Sequence, residues 1–248
     1  MNWLEKIIYA IELHNADEIT QCFANGINPN DYFRNEPLVH ELIGEYTRSP
    51  RFKDCIKAFV DNGLIIQDPA LFHVLLNDDK CLDECLSNDP TIIYKKYNFR
   101  CAYTPLKDVT LLHICAEFNH VACAEVLVKY GIDVNVCAGV DQHGFGGQTA
   151  IFHTVNQNGN HSADMLQFLL SQKADVRKTI TGLVWGNGYE WETFVPAVNP
   201  ISYSMMGLLP QMHRKEETIA ETVKVLMEHG YGISYTPPNV PNAYLSHH

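Results

Sequence analysis

At 248 residues the chain is long enough for one or two compact domains or for a single elongated array. Twenty-nine Asp and Glu against 18 Lys and Arg leave a formal charge of −11. That balance excludes the basic stripe with which a nucleic-acid or anionic-membrane binder displaces counterions, and makes a basic partner the easier electrostatic fit. Only Lys95-Lys96 and Arg214-Lys215 approach a basic cluster.

The amino terminus lacks a basic region followed by a sustained apolar run, and no 18-residue apolar segment occurs later. Eight cysteines fall singly in apolar stretches (Cys22, Cys55, Cys115, Cys123), the pattern of reduced core thiols, so a cytoplasmic location is expected. The first helix intersperses Leu4, Ile7, Ile8, Ile11 and Leu13 with Glu5, Lys6, Glu12, His14, Asn15 and Asp17, which suits an end unit with a polar outer face. Four segments then open with two apolar residues and a histidine: Leu38-Val39-His40, Leu71-Phe72-His73, Leu111-Leu112-His113 and Ile151-Phe152-His153, spaced by 33, 40 and 40 residues. Each triplet predicts a helix start, and a second helix follows that ends on a glycine in the left-handed region: Gly26, Gly63, Gly131 and Gly230. Lys173 stands where the glycine would be in the fifth unit. His213-Arg214-Lys215-Glu216-Glu217 leads into a final helix carrying Ile219, Val223, Val225, Leu226 and Met227.

Thr110-Leu111-Leu112-His113-Ile114-Cys115-Ala116, closed 18 residues after its histidine by Gly131-Ile132-Asp133-Val134-Asn135, resembles an ankyrin repeat. The resemblance implies an all-α solenoid of about six helix pairs with no domain boundary: units at 1–32, 33–66, 67–100, 106–139, 149–180 and 199–232, and a tail at 233–248. Each unit lends one apolar face to the next. The resemblance also implies that His40, His73, His113 and His153 bond to backbone and hold the turn before each helix. Val39, Phe72 or Phe152 are the alternative occupants of that position. Unit three departs from the pattern, closing on Ser87-Asn88-Asp89-Pro90.

Two connections exceed what the repeat requires, and in a solenoid such departures point to function. Val136 to Gln148 holds Asp141, His143 and Phe145; Thr179 to Asn199 holds Trp185, Tyr189, Glu190, Trp191 and Glu192. Aromatic residues with acidic neighbours on glycine-punctuated loops form the composition of a binding anchor, and these eight residues are the expected partner contacts. The alternative folds Trp185, Trp191 and Phe194 back onto unit six. The resemblance places both loops side by side as fingers bordering a concave surface.

Other chemistries find little support. Cys81-x-x-x-Cys85 puts two thiols on one helix face with His73 nearby, but no second ligand pair follows, so no metal is expected. Gly144-Phe145-Gly146-Gly147 follows no buried strand, and no cofactor is expected. Cys101 beside Arg100 is the only cysteine in a basic setting, and Glu190 with Glu192 lacks a fixed spacing, so an enzyme is the weaker alternative. The expectation is a non-enzymatic, monomeric protein-binding module for a basic partner. Its sharper form, from resemblance of the 146–156 and 185–192 stretches to bacterial ankyrin proteins, is an immunity protein neutralising a toxin encoded beside it.

Overall fold

The computed structural model describes residues 2–206 and 214–238. His213 and the tail beyond residue 238 lie outside them. Helices pack as consecutive partners: α1 (Trp3–Glu12) with α2 (Ala16–Ala24), α3 (Val39–Gly44) with α4 (Phe52–Asp61), α5 (Pro69–Leu76) with α6 (Asp79–Asn88), and α7 (Leu111–Phe118) with α8 (Val121–Lys129). The series continues with α9 (Phe152–Val155) against α10 (Ala163–Ser171) and α11 (Pro200–Ser204) against α12 (Glu216–Tyr231). Second helices stack as α2 on α4 and α6 on α8 on α10; first helices stack as α5 on α7 on α9 on α11. The succession is irregular at one joint, where α4 packs on α5. Buried apolar residues form one continuous cluster from Ile7 through Leu112 and Leu169 to Leu226, as a helix-rich repeat fold requires.

Among the described residues short strands accompany the helices of this α-repeat fold. Three antiparallel hairpins interrupt the helices: β1 (Tyr32–Phe33) with β2 (Glu36–Pro37), β3 (Tyr97–Phe99) with β4 (Leu106–Val109), and β5 (Ile180–Trp185) with β6 (Thr193–Val198). The segment expected as the loop 179–199 is largely this last hairpin, in register from Ile180 opposite Val198 to Trp185 opposite Thr193. Ile180, Leu183, Val184 and Trp185 facing Phe194, Val195 and Val198 supply the β-branched and aromatic residues that favour pairing.

Short polar side chains start the helices. Asn2 and Glu5 form a reciprocal capping box on α1, Asp68 accepts the Leu71 amide before Pro69 opens α5, and Asn199 caps α11. Thr110 begins α7, and there His113 Nδ1 accepts the Thr110 backbone N–H at 3.2 Å. The same position is Leu71 after Asp68 and Phe152 after Thr149. Of the four repeated histidines, His113 alone therefore holds the turn. His73 lies two residues beyond the position and His153 one beyond, so both project from other faces of their helices; His40 sits 3.8 Å from Glu36 and edge-on to Phe99.

Gly26, Gly63 and Gly131 follow their helices at φ of +100°, +95° and +87°, and Lys173 adopts φ +66° in the equivalent place. Gly230 does not stop its helix. α12 runs through it to Tyr231, and Gly232 takes the left-handed turn at φ +68°. Gly230 serves close packing instead, since a Cβ there would run into Val176.

Candidate partner-binding surface

Backbone bonds join segments that lie between helix pairs to one another, and tie one of them to the end of α3. Ala102 N–H donates to the Gly44 carbonyl at 3.1 Å, and Gly186 N–H donates to the Ala102 carbonyl at 2.8 Å. Gly139 N–H reaches the Lys107 carbonyl at 3.0 Å, and Gly146 N–H reaches Gly182 at 2.8 Å. Gly146 sits at φ +107°, and a Cβ would lie 2.5 Å from the Gly139 carbonyl oxygen, so this close approach requires glycine. Phe145 then packs on Phe194 with ring centroids 4.5 Å apart. The 136–148 connection and the β5–β6 hairpin are thus in direct contact.

A run of aromatic rings crosses these joined segments. Tyr103 lies 5.8 Å from Trp191, which stacks on Tyr189 at 5.3 Å, and the Arg100 guanidinium lies 5.6 Å from the Tyr189 ring. Trp191 is 45% exposed and Phe194 47%. Toward the amino-terminal units the exposed Tyr46 donates its hydroxyl to Glu12 at 2.6 Å. That bond, with burial and the Glu12 charge, pushes the phenol up to about 12. Burial first, then Glu41 and Glu12, raises the Glu45 carboxyl above its usual range. The nearby cations are already engaged: Arg100 pairs with Glu41 at 2.5 Å, and Arg48 pairs with Glu117 at 2.5 Å. A cleft of about 190 Å³ opens among the fingers, lined by Arg100, Lys107, Asp141, Phe145 and Asn187 among others.

Residues 77–180 match the family model for ankyrin repeats, in three copies. That stretch, and it alone, is similar to ankyrin repeats by this comparison. No curated protein matches the chain in sequence comparison. Ankyrin repeats generally mediate protein–protein interaction and are typically non-enzymatic. Among the described residues no helix is long and apolar enough to cross a membrane.

Beside the ankyrin repeats, the eight expected contact residues separate into distinct environments. Trp185 is the clear correction: it is 2% exposed, and its Nε1–H donates to the Tyr203 hydroxyl at 2.8 Å, which in turn bonds Thr104. It staples the hairpin to α11 and offers no surface to a partner. Asp141 accepts the His143 and Phe145 amides, so it shapes its own turn, and these bonds hold its carboxyl below the usual range. Glu192 accepts the Gly188 amide at 3.0 Å and closes the β5–β6 turn while remaining exposed. His143, Glu190 and Trp191 are exposed; Phe145 and Tyr189 are half-buried. Tyr46 and Tyr103 escaped sequence reasoning because they stand outside the two long connections, and a scan for aromatics next to glutamate (Glu45-Tyr46) would have found the first.

Inside the repeats a charged chain links units distant in sequence. Arg48 Nε donates to Glu117 Oε1, and His153 Nδ1–H donates to Glu117 Oε2 at 2.6 Å, all three buried. Burial alone would raise the Glu117 carboxyl; the Arg48 guanidinium and the His153 bond outweigh it and hold it below the usual range. His153 also meets His113 edge to face at 5.6 Å. Stacking of neighbouring units thus brings these two histidines into ring contact. Their nitrogens are directed to different partners, His113 donating from Nε2 to the Gln148 carbonyl at 3.2 Å.

Cys101 faces Arg48 at 3.5 Å, and burial nevertheless pushes its thiol up to about 11, against the low value a nucleophile needs. Glu190 and Glu192 are both exposed at the β5–β6 turn.

Proposed function

We propose that this chain is a non-enzymatic module that grips a protein partner through the joined fingers and the aromatic strip beneath them. The observation that supports this most is the aromatic cluster: Trp191 lies against both Tyr103 and Tyr189 with Glu190 and Glu192 exposed beside it, Tyr46 is exposed next to Glu45 and bonded to Glu12, and Arg48 and Arg100 are spent on internal carboxylates. Aromatic faces and exposed carboxylates together suit Lys and Arg side chains, which gain cation–π and ionic contacts at once. The partner is accordingly basic. The whole chain acts as one ankyrin-like array of about six helix pairs, as a cytoplasmic monomer. A toxin made by the neighbouring gene is the sharper form of the same binding mode, since an acidic inhibitor captures a basic toxin quickly.

The test is affinity capture from the source lysate with wild type and with Trp191→Ala/Glu192→Ala, followed by titration of the retained protein. We expect a basic protein held by wild type, released by salt, and bound at least about tenfold more weakly by the variant, with a melting temperature little changed. Equal binding by both proteins refutes the assigned surface. Co-expression with the neighbouring gene product tests the toxin form: no co-purification and no rescue of growth reject it.

A further inference from the structure

Residues 68–89 form the most acidic stretch of the chain, with Asp68, Asp78, Asp79, Asp83, Glu84 and Asp89 against a single Lys80. Lys95 neutralises Asp68 and Lys129 neutralises Asp83. Among the described residues no lysine or arginine pairs with Asp78. Its Oδ1 caps α6 by accepting the Cys81 amide at 3.1 Å, which leaves Oδ2 facing His73 Nδ1 at 3.6 Å. That separation is too long for a hydrogen bond. His73 Nδ1 is buried and has no hydrogen-bond partner, an arrangement that costs free energy unless something else satisfies the nitrogen. The repeat does not explain this histidine either, because Leu71 occupies the capping position. One ligand atom each from His73, Asp78 and Cys81 falls within 4.8 Å of the other two.

We propose that His73, Asp78 and Cys81 form a binding site for a zinc-class divalent cation at the α5–α6 turn. Zinc holds imidazole nitrogen and carboxylate oxygen at about 2.0–2.2 Å and thiolate sulfur at about 2.3 Å, so tetrahedral ligands lie roughly 3.3–3.7 Å from each other. The His73–Asp78 distance already has this value, and the thiol closes the third edge by a shift of about 1 Å or a rotamer change. A nitrogen, an oxygen and a sulfur donor together select zinc over magnesium or calcium, which take all-oxygen sets. Three protein ligands leave a fourth position for water. The adjacent Asn77 accepts the Cys123 amide of α8 through its side chain, so the cation would brace the joint between neighbouring helix pairs.

The test uses the full chain stripped by chelator, titrated with cobalt as a spectroscopic probe and with zinc by calorimetry. One equivalent of cobalt should produce a thiolate-to-metal charge-transfer band that zinc abolishes. Cys81→Ser and His73→Asn should lose it, as should Asp78→Asn, which keeps a good α6 cap and so preserves the helix. Cys85→Ser should retain it. On the wild-type protein, zinc should protect Cys81 from maleimide, read by mass spectrometry, which needs no variant to fold. A titration without stoichiometric cobalt binding, or a band that survives Cys81→Ser and vanishes in Cys85→Ser, overturns the assignment.

Discussion

Replacing Glu117 by Gln tests the buried charge chain most directly. Arg48 and Glu117 have side chains 6% exposed, and the remaining guanidinium hydrogens point to the backbone carbonyls of Ile43, Glu45 and Thr47. Glutamine preserves the volume and removes the one carboxylate that, among the described residues, bonds this guanidinium, leaving a buried cation without that counter-charge. Breaking a buried pair from one side costs about 3–5 kcal/mol. In a chain of this size 1 kcal/mol moves the melting temperature by about 2–4 °C, so Glu117→Gln should melt about 6–20 °C lower. Arg48→Met/Glu117→Met removes both charges and should recover at least half of that loss, because an apolar pair of similar size replaces the ion pair at little net cost. Thermal and urea unfolding followed by circular dichroism, analysed as a double-mutant cycle, reads both numbers. A Glu117→Gln protein that melts within about 2 °C of wild type would show that the charge chain is not a stability determinant.

Acidification should destabilise the fold through buried histidines. Burial first, then Arg48 and Arg51, lowers His14 to about 4; burial, partly offset by the bond to the Val74 carbonyl, lowers His120 to about 4. Unfolded histidine takes up its proton near pH 6.5, so between about pH 6.5 and 4 the unfolded chain binds more protons and stability falls as pH drops, by roughly 3 kcal/mol per histidine when the window has been crossed. Melting temperatures at pH 7 and pH 5 check this, and His120→Gln should flatten the slope; an unchanged slope contradicts the assignment. The two hairpin tryptophans should also part company. Trp185→Ala opens a core cavity and should cost about 3–5 kcal/mol, whereas Trp191→Ala should cost no more than about 1 kcal/mol. Comparable losses in urea unfolding would mean that the exposed ring is as structural as the buried one.

The parts of the fold that were legible in the sequence are those specified over short distances. Thr110, His113 and Gly131 each act within one helical turn of their neighbours, and the residue types that can do so are few. The histidine register was not legible, because Leu71-Phe72-His73 and Ile151-Phe152-His153 imitate Leu111-Leu112-His113, while Asp68 fixes the start of α5 upstream and the Phe152 amide turns back to the Thr149 carbonyl. Gly230 misled in the same way, since a glycine near a helix end can serve packing as well as termination. The aromatic loop concealed a strand pair in which Trp185 is buried and Phe194 exposed. The charge chain could not have been read at all: 69 residues separate Arg48 from Glu117, and only the stacking of units brings them together.

The backbone bonds from Gly44 through Ala102 to Gly186, and from Gly182 to Gly146, have a thermodynamic consequence for recognition. Independent loops would each surrender conformational freedom when a partner arrived, at about 0.5–1.5 kcal/mol for every side chain immobilised. Here much of that ordering is completed during folding. A partner docking on this edge meets a surface already set, and its specificity falls on its own shape and charge, with little room for the fingers to adapt to a poor match.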